Sequence, residues 1–274
     1  MIWVADGTYP ISAQISLTGS VTFVSVNGAA NTTIRGNGAT RCFDIGYGSS
    51  VIDGFTIEGG VAHAGNGGAV YITRGGSVQN CIIRSNRASL GGAIFCFASG
   101  VVERCVLVAN TATNSGAGAV YLLAGGLVKN CLVYSNTAVS AAGIYLGYGT
   151  GMVQNCTVVR NIASDQGGGI YCGPESRVEN TIAWFNIGSP GSNHYESGLD
   201  IAYTNCCTAP AIGTACVDSD PRFANLGACD FHIGTNSPCV DTGIDAMGVT
   251  NDFDGMMRPL DGNRDGAAKW DIGA

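Results

Sequence analysis

The sequence predicts an all-β fold: a right-handed parallel β-helix, or solenoid, of about eight coils, followed by an irregular tail rich in Asp and Cys. Three observations predict it. A unit of 24–26 residues recurs four times without interruption. The apolar residues of successive units fall into columns when the units are aligned. Glycine supplies 42 of the 274 residues, while only 12% are charged. That composition is unusual for an ordinary globule and suits a chain that turns tightly many times around apolar columns.

The four clear units are 77–100, 101–126, 127–151 and 152–176, with a weaker copy at 51–76 and a degraded one at 177–202. Two irregular coils are expected upstream, around ISLTGSVTFVSV and TTIRGNGATRCFDI. Each unit holds two β-rich runs, V-x-N-C-x-V and G-G-x-[IV]-[YF]. Neither can bury its apolar face alone, and stacking buries both. Val78, Val102, Val128, Val153 and Val178 align, as do Ile83, Leu107, Val133, Val158 and Ala183, and Val70, Ile94, Val120, Ile144 and Ile170. A helical solenoid is excluded, because no unit carries an apolar face at 3.6-residue spacing and glycine pairs such as Gly91–Gly92 interrupt each unit. The division expected is 1–202 for the stack and 203–274 for a loop-rich segment packed on the last coils.

Repeated polar positions read as ladders. Asn86, Asn110, Asn136, Asn161 and Asn186 form one column, in which amides satisfy one another from coil to coil. Asn80, Asn130, Asn155 and Asn180, interrupted by Arg104, form a second and are expected to stack in the same way. Asparagine also tolerates the positive φ of a bend. Cys81, Cys105, Cys131 and Cys156 suit a stack of buried thiols better than bridges. Cys206, Cys207, Cys216, Cys229 and Cys239 lie in loop-like sequence, where pairing of Cys229 with Cys239, and of Cys216 with Cys206 or Cys207, is expected without fixing the connectivity.

Tyr71, Phe95, Tyr121, Tyr145 and Tyr171 form an aromatic column that alternation places on the outer face of its strand. It reads either as a stack protecting the sheet or as a platform for sugar rings. Charge is unevenly placed: ten of the 20 acidic residues, all Asp, lie in 203–274. The net charge of −7 offers no basic footprint for nucleic acid or for an anionic membrane surface. No apolar run is long enough to span a membrane, and no signal-peptide pattern opens the chain.

A catalytic constellation is hard to find. Arg74, Lys129 and Glu175 read as isolated near turns. The strongest cluster is His194, Glu196 and Asp200 in the degraded coil, near Trp184 and Tyr195. DGNRDG at 261–266 has the spacing that opens a calcium loop, with Asp261, Asn263 and Asp265 as ligands and Asp252 and Asp254 near enough in sequence to complete a site. Its twelfth position, however, is Ile272 rather than Glu. The same aspartates serve equally well as turn formers.

The repeat V-x-N-C-x-V…N-x-A…G-G-x-[IV]-Y resembles that of right-handed parallel β-helix proteins of the pectate-lyase-like superfamily, and most of all bacterial surface proteins with polymorphic-outer-membrane-type repeats. The likeness covers residues 1–202. VADGTYP (4–10) is similar to the first strand of such proteins, without the capping helix that usually precedes it. DPRF (220–223), SPCVDTG (237–243), DFDGMMRP (252–259) and WDIGA (270–274) resemble the ending of bacterial secreted β-helix proteins. The resemblance implies a non-catalytic extracellular or cell-surface module that binds polysaccharide or another surface partner. The alternatives are a polysaccharide lyase or glycoside hydrolase, and a surface protein that self-assembles through the open first coil at Val4 and Tyr9.

Overall fold

A residue with left-handed φ between two strands turns the chain sharply, and from Asn80 to Phe185 such residues recur twice in each coil. Asn80, Arg104, Asn130, Asn155, Asn180 and Asn205 have φ of 45–53°. Ser85, Ala109, Ser135, Arg160 and Phe185 have φ of 55–56°. The first set splits each V-x-N-C-x-V run into two strands that belong to different sheets. The second set turns the chain again just before the Asn86 column.

The computed structural model describes residues 1–246 and 248–274, and it is a parallel β-solenoid of about eight turns. Among the described residues, the strands form stacked parallel sheets of 14 strands (sheet A), nine strands (sheet B) and five strands (sheet C), plus a small antiparallel pair. The only helical segment among them is the 3-10 turn Leu226–Ala228. The three expected apolar columns are in register: Val78 pairs with Val102, Ile83 with Leu107, and Ile94 with Val120. Their side chains form one continuous core from Leu17 to Cys206.

In mid-stack, the G-G-x-[IV]-[YF] run and the next V-x-N run join into one long strand, as in Ile94–Glu103, Val120–Lys129 and Ile144–Gln154. The glycine two residues before the first two of these strands, Gly92 and Gly118, has a steric cause. A Cβ on Gly92 would lie 2.4 Å from the carbonyl oxygen of Gly118 in the next coil. The stack continues past residue 202 through Ala202–Thr204 and Cys207–Thr208, and ends with bridges to Thr214 and Val217.

The first asparagine column is a continuous amide ladder. Each Nδ2 donates to the Oδ1 one coil on: Asn86 to Asn110 (3.0 Å), Asn110 to Asn136 (3.0 Å), Asn136 to Asn161 (2.9 Å) and Asn161 to Asn186 (3.0 Å). Asn193 adds a further rung. The cysteine column is a thiol stack. Cys81, Cys105, Cys131 and Cys156 are buried and free, and each thiol donates to the carbonyl two residues before it at 3.1–3.2 Å. Thr181 fills the next rung with a hydroxyl, and Cys206 and Cys216 continue the series.

The second asparagine column departs from the expected stacking in part: Asn80 bonds to its neighbouring coils, donating to Asp53 Oδ1 (2.7 Å) and accepting from Arg104 Nε (2.9 Å), whereas three of the later corner amides hold the tail. Asn205 donates to the Thr242 carbonyl (2.6 Å), Asn180 to Ile244 (2.6 Å) and Asn130 to Asn251 (2.7 Å). The tail therefore runs back down the stack along this edge. The physical reason is that a residue in the left-handed bend projects at a corner, where a passing backbone is a nearer partner than the next coil.

Replacing Asn136 by Ala is expected to lower stability by about 2–3 kcal/mol, because buried amide groups above and below lose their partner. The exposed Asn114→Ala should change stability by less than about 0.5 kcal/mol. Urea titration of both variants checks this.

Candidate functional site

The outward positions of sheet B change character along the stack. In the early coils one outward column is charged: Glu58 is held between Arg35 (2.7 Å) and Arg84 (2.9 Å). Further on, outward residues are apolar: Tyr134, Val159 and Trp184 in that column, and Leu132 and Ile182 in its neighbour. An apolar outer face requires cover, and the tail supplies it. Phe231 packs edge-on against Tyr134 with ring centroids 5.1 Å apart. The C-terminus lies against the sheet, with Gly273 N donating to Asn180 O (2.7 Å) and Ala274 N to Thr157 Oγ1 (3.1 Å). Gly273 has φ of 110°, and a Cβ there would meet Ile182 Cδ1 at 2.9 Å, so only glycine permits this approach.

The four tail motifs knit to one another. Ser237 Oγ of SPCVDTG donates to Pro221 O of DPRF (2.6 Å). Asp241 N donates to Asp271 Oδ1 (2.8 Å), and Ile272 N to Cys239 O (2.9 Å). Arg258 donates to the carbonyls of Asp271 (3.0 Å) and Gly273 (2.9 Å).

Between this scaffold and sheet B lies a cavity of about 310 Å³. Leu132, Thr157 and Ile182 form its floor, Phe231, Phe253 and Leu260 its apolar walls, and Asp230, His232, Asp252, Asp254, Asp271 and the cation Arg258 its polar lining. His232 is held between two carboxylates. Its Nδ1 makes a very short bond to Asp230 Oδ1, and its Nε2 lies 2.8 Å from Asp254 Oδ2. Asp230, and then Asp254, raise the imidazole above its ordinary value of 6.5. The same contact lowers the Asp230 carboxyl below 3.8. Burial raises the Asp271 carboxyl. This site was missed in the sequence, where Asp252 and Asp254 read as calcium ligands and His232 was passed over. The available signal was the apolar outward series Ile82, Val106, Leu132 and Ile182, which implied a covered face.

The residues singled out in the sequence lie away from this cavity or form only part of its lining. Tyr71, Phe95, Tyr121, Tyr145 and Tyr171 do lie on the outer side of sheet A, but they are not an exposed platform. Phe95 is 2% exposed, Tyr121 8% and Tyr171 9%. The rings stack on one another at 4.3–5.4 Å between centroids, and Tyr195 extends the series. Ring faces are thus spent within the column, and Leu90, Ala117 and Leu123 pack against it. Lys129 is not isolated: it pairs with Glu103 of the preceding coil at 3.3 Å.

His194 and Glu196 continue the inward columns, in register with Ile170 and Cys172. They finish the lumen beside Tyr203, whose hydroxyl meets the Cys172 thiol at 3.1 Å. His194 Nε2 is occupied by the Pro210 carbonyl (3.0 Å). Burial raises the Glu196 carboxyl, with His194 acting in the opposite sense. Asp200 lies outside this strand in an exposed bend.

At 261–266 the side-chain oxygens serve the backbone. Asp261 accepts from Asp265 N (3.0 Å) and Gly266 N (3.0 Å), and Asn263 accepts from Asp265 N (2.9 Å). Asp252 likewise accepts from Met256 N (2.8 Å). Ile272, at the twelfth position, is buried among apolar side chains. The residues form turns and do not fit an EF-hand-type calcium loop. Among the described residues no group of three or more His, Cys, Asp or Glu side chains could hold a metal.

Compared with protein-family models, curated proteins and solved structures, the chain matches none.

The Asp230–His232–Asp254 bridge carries a pH dependence. A raised imidazole contributes stability below pH 6.5 that is lost as pH rises through its folded value. A lowered carboxyl contributes stability above pH 3.8 that is lost as pH falls through its folded value. The fold-back of the tail that joins Asp230 and His232 to Asp254 should therefore be tightest between these limits and loosen on either side. Limited proteolysis of the tail against pH checks this, and His232→Gln should flatten the alkaline limb.

Proposed function

We propose that this protein is a non-catalytic module of the cell surface or extracellular space that binds a saccharide unit of a surface polymer in the cleft between tail and sheet B. The observation that carries the reading is the cleft's combination of apolar walls and a carboxylate lining. Phe231 and Phe253 offer apolar surface for the C–H face of a sugar ring. Asp230, Asp252 and Asp254 offer acceptors for hydroxyl groups. The size falls at the small end of ligand pockets, which suits a chain end or a short segment. The acidic lining favours neutral or amine-bearing sugars and opposes uronates. The repeat's likeness to bacterial surface proteins of the pectate-lyase-like superfamily supports the location.

The lyase and hydrolase alternative draws less support. Glycosidase chemistry uses two carboxyl groups facing a glycosidic bond at a set separation. Asp230 and Asp254 instead occupy opposite nitrogens of one imidazole.

Self-association has a separate basis. The end strands Ile2–Val4 and Gly7–Pro10 are each hydrogen-bonded to one neighbour, and Trp3 is 63% exposed. Light scattering over a wide concentration range tests it, and a constant monomer mass would remove it.

A glycan array run with and without calcium, with a parallel assay for released reducing or unsaturated ends, tests the main reading. Binding to neutral or amino glycans without release is expected. Asp254→Asn should weaken it about tenfold, the equivalent of one charge-assisted hydrogen bond, and Phe253→Ala about tenfold through the lost apolar contact. Tyr121→Ala should cost stability without changing affinity. Release of ends, or a preference for polyuronates, would overturn the reading.

A further inference from the structure

Cys206 and Cys207 are adjacent, so strand alternation sends them to opposite sides of the last coil. Cys206 points inward and joins the thiol stack, donating to Val178 O (3.3 Å) and Thr204 O (3.4 Å). Cys207 points outward, in register with Ile182, onto the face that the tail covers. There it is fully buried in a small apolar cluster with Ile182, Ile272 and Cys239. Its thiol donates to Ser219 O (3.3 Å), and Cys239 packs beside it in the same cluster. Cys239 belongs to SPCVDTG, and its carbonyl anchors Ile272 of the C-terminal strand of chain.

We propose that Cys207 and Cys239 are a disulfide site that covalently fastens the tail to the last coil, formed by exchange with a small-molecule disulfide such as oxidised glutathione.

The rival pairings are less well placed. Cys229 is exposed in the lining of the cleft, while Cys239 is fully buried beside Cys207. Cys216 stands one rung above Cys206: the Cys206 N–H points to Cys216 Sγ at 3.3 Å, as the Cys105 N–H points to Cys131 Sγ at 3.5 Å. Those two cysteines repeat a contact that the thiol stack makes between successive rungs. Cys207 and Cys239 come from different elements and meet across a packing interface, where a bridge closes a long loop and restricts the unfolded chain.

The exchange balances. The Cys207 thiolate attacks one sulfur of oxidised glutathione, forming a mixed disulfide and expelling one glutathione thiolate. The Cys239 thiolate then attacks the Cys207 sulfur, expelling the second. Two electrons pass from the cysteines to glutathione, and the two cysteine protons end on the released glutathiones. Burial closes both sulfurs to solvent once the tail has docked, and the neighbouring Cys239, then burial, hold the Cys207 thiol above its ordinary value. The exchange therefore belongs to the folding chain, before docking.

The test is to refold the full chain in a reduced/oxidised glutathione buffer and, separately, with reductant alone. Free thiols are then trapped by alkylation and the cross-linked peptides sequenced by mass spectrometry. The expected product joins Cys207 to Cys239, with Cys81, Cys105, Cys131 and Cys156 alkylated. The oxidised form should melt several degrees above the reduced form, and the double variant Cys207→Ser, Cys239→Ser should melt alike in both buffers. Alkylation of both residues after oxidative refolding, a bridge from Cys239 to Cys229, Cys206 or Cys216, or a double variant that still responds to redox would each overturn the proposal. The readout is covalent and is independent of saccharide binding.

Discussion

In a parallel stack, coils lie about 4.8 Å apart, so each side chain sits directly beside its equivalent in the next coil. A buried polar group must then be satisfied by a copy of itself or by backbone. The Asn86-to-Asn193 ladder meets that condition at every level: each amide donates to the next amide and to two carbonyls. The bends that close the coils depend on it, because a turn buried within a solenoid has no water to fall back on. Cysteine meets the same condition in a milder way, as a small apolar side chain whose weak donor needs one nearby carbonyl. Repetition of side-chain identity is thus a physical requirement of the architecture, and for that reason it is poor evidence of catalysis.

Much of this was legible in the sequence because the interactions that build the stack are local in the repeat. Column membership for Val78, Ile83 and Val70 followed directly from alignment, as did the Asn86 ladder and the thiol stack. The departure at Asn130 and Asn180 has an identifiable cause. Alignment shows that residues share a column, but it does not show which neighbour lies closest at a corner. Here the nearest acceptor is tail backbone more than 60 residues away in sequence for Asn180, and more than 120 for Asn130. The aromatic column illustrates a related limit. Alternation placed Tyr121 and Tyr145 on the outer side correctly, yet rings repeated at the coil spacing stack face to face. A ladder of aromatics therefore offers edges, whereas sugar recognition needs faces.

The candidate site was the least legible part, because it is assembled by a segment that does not repeat. His232 sits between Asp230, two residues away, and Asp254, which is brought to it by a fold-back with no periodic signature. Short Asp-rich motifs such as DFDGMMRP and DGNRDG read alike in one dimension. In three dimensions the carboxylates of one help to line a cavity with His232, while those of the other shape their own turn through side-chain to backbone bonds. What separates them is position relative to the strip Leu132, Thr157 and Ile182, apolar at two of its three positions, which the tail covers.

That strip also explains why the cleft lies where it does. Early coils turn charge outward on sheet B, as in Arg35–Glu58–Arg84, and need no cover. Later coils turn apolar groups outward, and the tail follows them down the stack, fastened along the corner asparagines. An irregular segment laid on a regular surface covers it incompletely, because its side chains do not share the period of the coils beneath. The gap left over is enclosed by apolar groups from the sheet and by polar groups from the tail. The repeat thus supplies a rigid floor, and the tail supplies the chemistry. Sequence change in the tail can alter the lining without disturbing a single rung of the ladders that hold the floor in place.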